Sequence, residues 1–343
     1  MKEKKLKVEG SLTALSVMRS YIQSINTRLR NSPEFYTELC LGQHLISSAI
    51  NFELNYPYGD ENGVKEFLHY LQQMFFYKTV TPGYDSMILA RKLMLKHKVE
   101  TSILSKDVQQ VIFLGGGYDI RAFISSKKFP NVQFYELDRG QTRQIKLKAL
   151  GDIPKEVGIG QTLIDIKDNA HIFNNNFFCI ECDFLTNNLE EVLKANGFKK
   201  GCKTLVVAEG LTMYLNKSGI RQLFTSLGNL LETHDELIVS FIPQIINSAL
   251  SKEKHCFSLP PHDVISFVSE FGFNVMHKNL FSDLLVLMGD RKNAKIHENN
   301  PKLKQENYYI LMKPSNSFRA TDKTIYEVPD YKFETSLEHY EQS

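Results

Sequence analysis

A turn of three glycines is the first feature of this sequence that could do chemistry. Gly115, Gly116 and Gly117 follow directly after the apolar run Val111–Leu114. Glycine has no Cβ, so such a turn can take positive φ angles and expose its N–H groups to a bound ligand. The segment therefore predicts a buried strand that presents backbone donors to a nucleotide-like ligand.

A pair of acidic residues ends the next predicted strand, Val132–Asp138. Asp138 follows Gly117 by about 20 residues, the offset at which an acid ending the second strand of a β-α-β unit bonds ribose hydroxyls. Asp138 is therefore predicted to bind a ribose, and Glu136 on the same strand is the other candidate.

The spacing of the glycines disfavours a dinucleotide. The nicotinamide fingerprint has a third glycine three positions after the second, where this chain has Ile120. That glycine allows close helix–strand packing in enzymes whose pyrophosphate rests on the helix N-terminus. S-adenosylmethionine has no pyrophosphate and needs a glycine-rich turn and a carboxylate for its ribose. The residues favour this cofactor, and an NAD-dependent dehydrogenase is the less favoured alternative.

The elements that must position these residues alternate between strands and helices. The predicted strands end at Gly115, Asp138, Asp183 and Glu209, and the run Thr204–Ala208 is typical of a buried parallel strand. Parallel strands bring their carboxyl ends to one edge, where open α/β sheets bind ligands. We therefore expect a Rossmann-like, mostly parallel sheet with helices on both faces and the four strand ends at one site.

Three regions are expected along the chain. Apolar residues spaced three and four apart before the first strand predict an N-terminal helical cap or lid over residues 1–80. The alternating strands and helices place the main domain at 81–315. Residues 316–343 are polar and are expected to form a tail.

Composition excludes several classes of protein. The 343 residues are 42% hydrophobic, and 41 basic against 39 acidic residues leave a net charge of +2. So balanced a charge gives no general attraction to nucleic acid or to an anionic membrane. The basic start is not followed by an apolar signal segment, and no run of 18 apolar residues occurs. We expect a cytoplasmic protein without nucleic-acid or membrane partners; its oligomeric state is left open.

Five scattered cysteines are typical of free intracellular thiols. Cys179 and Cys182 form a CxxC, but no second cysteine or histidine pair follows at zinc spacing. A structural role is therefore expected for them, and no metal site.

Three motifs lie at the predicted strand ends. Leu114–Arg121 reads LGGGYDIR, Tyr135–Asp138 reads YELD and Ala208–Leu215 reads AEGLTMYL. Together with Asp183 after the third strand, they resemble the LGxGxDTR, YEVD and AEGxxMYL motifs of the leucine carboxyl methyltransferase-like family of class I S-adenosylmethionine-dependent methyltransferases. The resemblance covers about Thr81 to Pro243 and, more loosely, the flanks.

The resemblance implies a seven-stranded class I methyltransferase sheet, S-adenosylmethionine as methyl donor, and a carboxylate or hydroxyl of a small molecule or peptide as acceptor. It implies that Asp183 approaches the adenine amino group and Phe184 the adenine ring. The position of Tyr214, just past Glu209 at a strand end, predicts that it places the acceptor oxygen, and it is the candidate catalytic residue. The implied cofactor-binding residues are Gly115, Gly116, Gly117, Glu136, Asp138, Asp183, Phe184 and Glu209.

The expected reaction needs no metal. Methyl transfer from a sulfonium is an in-line displacement that depends mainly on aligning the two reacting atoms. A carboxylate acceptor is already ionised at neutral pH, whereas a hydroxyl is helped by a base.

One departure from the family affects the cofactor carboxylate. The family commonly has an arginine in the helix before the glycine motif, and the corresponding stretch Val80–Asp85 contains none. Lys78, Arg91, or the hydroxyls of Thr81 and Tyr84 are alternatives between which the residues do not decide. The missing arginine also leaves open a protein that binds S-adenosylmethionine without catalysing transfer.

Overall fold

The computed structural model describes residues 12–55, 81–157, 164–167, 170–243, 256–299 and 307–313. A nine-stranded sheet runs through this part of the chain in the order β3-β4-β5-β2-β1-β6-β7-β9-β8. The strands are β1 Gln110–Leu114, β2 Gln133–Asp138, β3 Ile164–Lys167, β4 Ala170–Phe173, β5 Phe177–Glu181, β6 Thr204–Ala208, β7 Glu236–Phe241, β8 Asn274–Asn279 and β9 Asn307–Met312.

Ten α-helices are described around this sheet. They are α1 Leu12–Arg28, α2 Tyr36–Asn55, α3 Tyr84–Lys106, α4 Arg121–Lys128, α5 Gly140–Gly151, α6 Leu189–Ala195, α7 Lys217–Leu230, α8 Val264–Ser269, α9 Phe281–Leu287 and α10 Arg291–Asn299. Short 3₁₀ turns occur at Pro33–Phe35, Lys155–Val157 and Thr212–Tyr214.

The five central strands are parallel, and β1 lies in the middle of them. It pairs with β2 on one side and β6 on the other. Leu114 is level with Leu137, and the N–H of Gly115 donates to the Leu137 carbonyl at 2.8 Å. This register places the glycine turn beside Asp138 at the carboxyl edge of the sheet.

Helices cover both faces because the central strands are apolar on both sides. Val111 and Phe113 face a core built with side chains from α1 to α5, whereas Ile112 and Leu114 face a second core built with α6, α7 and α8. Every residue of β1 and β6 is buried. Burial on both faces explains why these strands are continuous apolar runs.

The first two helices pack on the first of these faces. Side chains such as Met18 from α1 and Leu45 from α2 belong to the same core as Val111. A Cβ added at Gly117 would lie 3.1 Å from the Cβ of Ala14, so the start of α1 rests on the glycine turn. The N-terminal helices are thus neighbours of the predicted cofactor site.

The expected fold class is confirmed, with parallel central strands and helices on both faces, but the described sheet has nine strands and not the expected seven. The two additional strands, β3 and β4, extend one edge as antiparallel neighbours of β5. The β4–β5 connection turns at Asn174 and Asn175, whose φ angles are +50° and +63°. Asparagine tolerates this left-handed region and favours such hairpins. The two adjacent asparagines are therefore the local sequence signal for this hairpin.

The proposed division into a cap, a main domain and a tail stays a prediction. Residues 56–80 of the cap and the whole tail at 316–343 lie outside the described residues. Two helices, α9 and α10, follow β8 within the main domain and were not predicted.

In the described ranges, no helix combines the length and the apolar character that a membrane span needs. The longest of them, α3, has 23 residues and carries charged side chains along its length.

Candidate functional site

The glycine turn needs glycine for two different reasons. Gly115 and Gly117 have φ angles of +68° and +52°, in the left-handed region where a side chain is strained. At Gly116 the obstacle is space, because an added Cβ would lie 2.4 Å from Cδ of Glu136. The turn is therefore packed tightly from beneath by the second strand.

Asp138 is brought directly to this turn. Its Oδ2 accepts a hydrogen bond from the Gly117 N–H at 2.6 Å, and its Oδ1 accepts one from the Arg139 N–H at 2.7 Å. Burial raises the pKa of Asp138 above its ordinary value, and these two backbone donors act against that rise. The geometry agrees with the sequence prediction that Asp138 and the glycine turn form one site.

Glu136 lies below the turn and not at its rim. Its side chain is buried, and its Oε1 is 2.6 Å from Nζ of Lys146 on α5, which is fully buried as well. Burial raises the pKa of Glu136 to about 7, although Lys146 acts in the opposite direction. Asp138 is the better placed of the two predicted acids, because its carboxylate bonds the N–H of the glycine turn whereas Glu136 pairs with a lysine beneath that turn.

Lys146 also ties the turn to the residues that follow it. Its Nζ donates to the carbonyl oxygen of Asp119, and the Asp119 N–H donates to the Gly116 carbonyl at 2.9 Å. The backbone of the turn is thus held by a buried cation on one side and by Asp138 on the other.

The third predicted strand end, after β5, reaches the same edge. Asp183 Oδ2 is 2.9 Å from Nη1 of Arg139, and its Oδ1 accepts from the Leu185 N–H at 3.0 Å. The Asp183 side chain is one-third exposed, whereas Phe184 is buried in the second core. Asp183 therefore lies at the rim of the sheet and close to Asp138, because both carboxylates contact Arg139.

A buried cluster of charges lies where β6 ends. Glu209 Oε1 is 2.6 Å from Arg91 Nε and 2.8 Å from Lys92 Nζ, and its Oε2 pairs with Arg121. Asp119 pairs with Lys92 at 2.6 Å and with Arg121 through two contacts of 2.9 Å from Nε. We call these five residues the ion cluster. Its members come from α3, the loop before α4, α4 itself and the end of β6.

The ion cluster contains one more positive charge than negative. Burial alone would raise the pKa of Glu209, but Arg121, Lys92 and Arg91 outweigh it and hold that pKa at about 2. Burial and the neighbouring Arg121 lower the pKa of Lys92 despite Asp119 and Glu209. Because surplus buried charge is costly, a negatively charged group of a ligand would stabilise this cluster.

The ion cluster contains a candidate to replace the family arginine that is absent from Val80–Asp85. Arg91 is the alternative that the structure brings to Glu209. Thr81 is buried and accepts the N–H of Tyr84 with its carbonyl oxygen, and Lys78 lies outside the described residues. Sequence reasoning missed Lys92 and Arg121, although Arg121 is the last residue of the LGGGYDIR motif.

Tyr214 ends the short 3₁₀ turn that follows Glu209. Ser240 on the neighbouring strand fixes this turn, because it accepts from the Gly210 N–H at 2.9 Å and from the Thr212 hydroxyl at 2.6 Å. Tyr214 itself is half-buried. It therefore lies on a rigid segment at the carboxyl edge of the sheet.

The CxxC of the sequence lies at the carboxyl end of β5. Cys179 is on β5 and Cys182 follows it, and both thiols are free and buried. Burial raises the pKa of each thiol to about 12. Such thiols are unreactive at neutral pH, as expected for cysteines with a packing role.

A comparison with protein-family models agrees with the motifs. The model of the leucine carboxyl methyltransferase family matches residues 67–228. No curated protein sequence matches the chain. A putative methyltransferase from Thermobifida fusca YX is similar in structure, with 11% identity, a TM-score of 0.49 and coverage of 78% of this chain and 93% of that one.

Two further solved structures are similar over a smaller share of the chain. StiE O-MT residues 961–1257 show 10% identity and a TM-score of 0.44, covering 71% of this chain and 82% of that one. The glycopeptide N-methyltransferase MtfA complexed with S-adenosylmethionine shows 14% identity and a TM-score of 0.39, covering 65% and 87%.

The buried Glu136 predicts a loss of stability as pH rises. Its pKa is 4.5 in an open chain and about 7 in the folded protein, so between these values the folded protein holds a proton that the unfolded chain releases. The free energy of unfolding should therefore fall between about pH 5 and pH 8, by up to about 3 kcal/mol from this group.

Glu136→Gln is the matched variant, because it keeps an acceptor for Lys146 and does not titrate. Its free energy of unfolding should change less than that of the wild type between pH 5 and pH 8 in urea denaturation. The same pH dependence in both proteins would contradict the raised pKa.

Proposed function

We propose that this chain, whose residues 67–228 match the model of the leucine carboxyl methyltransferase family, is an S-adenosylmethionine-dependent methyltransferase that methylates an oxygen of a small-molecule or peptide acceptor. The acceptor oxygen belongs to a carboxylate or a hydroxyl. The observation that carries the proposal is the juxtaposition of an Asp138-bonded glycine turn with a buried ion cluster that has one surplus positive charge.

The nucleoside half of the cofactor fits the edge between β1, β2 and β5. Asp138 would accept hydrogen bonds from the ribose hydroxyls. These bonds would either replace the one that its carboxylate accepts from the Gly117 N–H or form beside it. Asp183 and Phe184 would meet the adenine, the first at its amino group and the second at its ring. Gly115, Gly116 and Gly117 let the backbone approach because no side chain projects from the turn.

The methionine half fits the ion cluster. The cofactor carboxylate would supply the third negative charge, which balances the three cations Arg91, Lys92 and Arg121. Glu209 is fully ionised at neutral pH because its pKa is held at about 2, so it can bond the positively charged amino group of the same ligand. A zwitterionic ligand is thus complementary to the ion cluster, because its carboxylate would meet the cations and its amino group would meet Glu209.

The transfer step needs geometry more than acid–base chemistry. Bound S-adenosylmethionine would supply the methyl group: its carbon–sulfur bond would break as the bond to the acceptor oxygen forms, and the sulfur would leave as a neutral thioether. The reacting atoms must be held about 3 Å apart and in line. A carboxylate acceptor gives an ester without losing a proton, whereas a hydroxyl acceptor must release one. We assign Tyr214 the placement of the acceptor oxygen.

Two alternatives are less well supported. The first, binding of S-adenosylmethionine without catalysis, rested on the missing arginine. Arg91 weakens that ground, because it supplies a cation next to Glu209. A dehydrogenase would need a small residue at position 120, where the buried Ile120 packs in the first core instead.

The function is tested with methyl-labelled S-adenosylmethionine, a chelator, and an extract that supplies candidate acceptors. We expect label on base-labile esters or on ethers, with turnover unchanged by the chelator. Label only on nitrogen would contradict the oxygen acceptor, and loss of turnover with the chelator would contradict a metal-free reaction. Calorimetric binding of NAD without binding of S-adenosylmethionine would favour the dehydrogenase.

Asp138→Ala should weaken S-adenosylmethionine binding by about 10- to 100-fold, because a charge-assisted hydrogen bond to the ribose is lost. Calorimetric titration gives the affinity. Asp263→Ala removes an exposed carboxylate before α8 and should leave the affinity unchanged. Wild-type affinity in a folded Asp138→Ala protein would remove the assignment.

Tyr214→Phe should lower turnover about 3- to 30-fold with little change in the affinity for S-adenosylmethionine, because its hydroxyl contacts the acceptor and not the donor. Tyr36→Phe, at an exposed residue, is the control. Steady-state kinetics and donor titration are compared for the two variants. Equal turnover by Tyr214→Phe and the wild type would refute this role while leaving the reaction class intact.

A further inference from the structure

Arg91 has a partner that lies far beyond the segment matched by the family. Its Nη1 donates a hydrogen bond to the hydroxyl of Tyr308 at 2.9 Å. The guanidinium carbon is also 5.9 Å from the centre of the Tyr308 ring. Tyr308 is on β9, outside residues 67–228, and its side chain is 1% exposed.

These contacts hold the guanidinium at two points. Nε is 2.6 Å from Glu209, and Nη1 is bonded to Tyr308. A guanidinium is planar and rigid, so contacts at two of its nitrogens, together with its covalent link to Cδ, restrict the orientation of the whole group. An arginine held in this way before the ligand arrives loses less rotamer entropy on binding.

Tyr308 is itself rigidly placed. Its backbone pairs with Ser240 on β7 and with Asn279 on β8, so β9 lies between two antiparallel neighbours. Its ring belongs to the first core, together with side chains from α3. A hydroxyl on such a strand can define the position of Arg91 more strictly than a side chain on a loop.

We propose that Tyr308 is a positioning residue for the cofactor: it acts through Arg91 and orients the guanidinium toward the carboxylate of the methionine half. The inference rests on the proposed function, because it needs a cofactor carboxylate at the ion cluster. It adds the last strand of the sheet to a site otherwise built from residues that precede β7.

The next residue in the chain provides a matched control. Tyr309 is as buried as Tyr308, but it points to the second core, and its hydroxyl has no hydrogen-bond partner among the described residues. Tyr308→Phe and Tyr309→Phe therefore remove the same atom from neighbouring buried positions, and only the first removes a contact with Arg91.

The experiment compares two ligands by calorimetry on the full chain. S-adenosylhomocysteine carries the amino-acid carboxylate, and 5′-methylthioadenosine has the same nucleoside without it. Tyr308→Phe should weaken S-adenosylhomocysteine binding about 3- to 10-fold and leave 5′-methylthioadenosine binding unchanged. Tyr309→Phe should change neither affinity. Binding of 5′-methylthioadenosine also reports that each variant is folded.

Arg91→Met separates this inference from the function on which it rests. In the Arg91→Met protein, adding Tyr308→Phe should not change the affinity for S-adenosylhomocysteine any further, because the two residues act as one unit. Equal effects of Tyr308→Phe on both ligands, including none, would overturn the positioning role. If Arg91→Met weakens the binding of S-adenosylhomocysteine and Tyr308→Phe does not, only this inference fails. No binding of S-adenosylhomocysteine by the wild type would overturn the proposed function as well.

Discussion

The ion cluster is the interaction on which the rest of the site depends. Arg91 and Lys92 come from α3, Asp119 and Arg121 from the segment that opens α4, and Glu209 from the end of β6. Removing either carboxylate would leave three buried cations against one anion, and an uncompensated buried charge commonly costs about 3–5 kcal/mol. The cluster therefore requires α3, α4 and β6 to meet in one arrangement.

The glycine turn belongs to the same unit. Lys146 contacts both Glu136 and the Asp119 carbonyl, and Asp119 bonds the backbone of Gly116. A buried lysine thus joins the strand that carries Asp138 to the residues that carry the surplus positive charge. The two halves of a ligand that is a nucleoside at one end and a zwitterion at the other would meet a continuous, pre-formed surface.

The sequence predicted the parts of the fold that local patterns determine. The strand Thr204–Ala208 was predicted with the bounds that the structure has, because all of its residues are buried and polar residues bound it. The hairpin β3–β4 was missed because its strands are four residues long, too short to show a period.

The site was predictable only where it lies at strand ends. Asp138 could be found because its offset from Gly117 is fixed by one β-α-β unit. The pairing of Glu209 with Arg91, Lys92 and Arg121 could not, because these residues are far apart in the chain and a helix pattern does not tell which charged side chain turns inward. Glu136 was grouped with Asp138 for the same reason, since spacing along a strand does not show that Lys146 lies beneath the turn.

A crystal structure of the protein with S-adenosylhomocysteine tests the central claim most directly. We expect ribose hydroxyls within about 3 Å of the Asp138 carboxylate and the ligand carboxylate within the same distance of Arg91 or Lys92, with Glu209 on the amino group. A ligand whose carboxylate lies away from the ion cluster, or whose ribose does not meet Asp138, would contradict that claim.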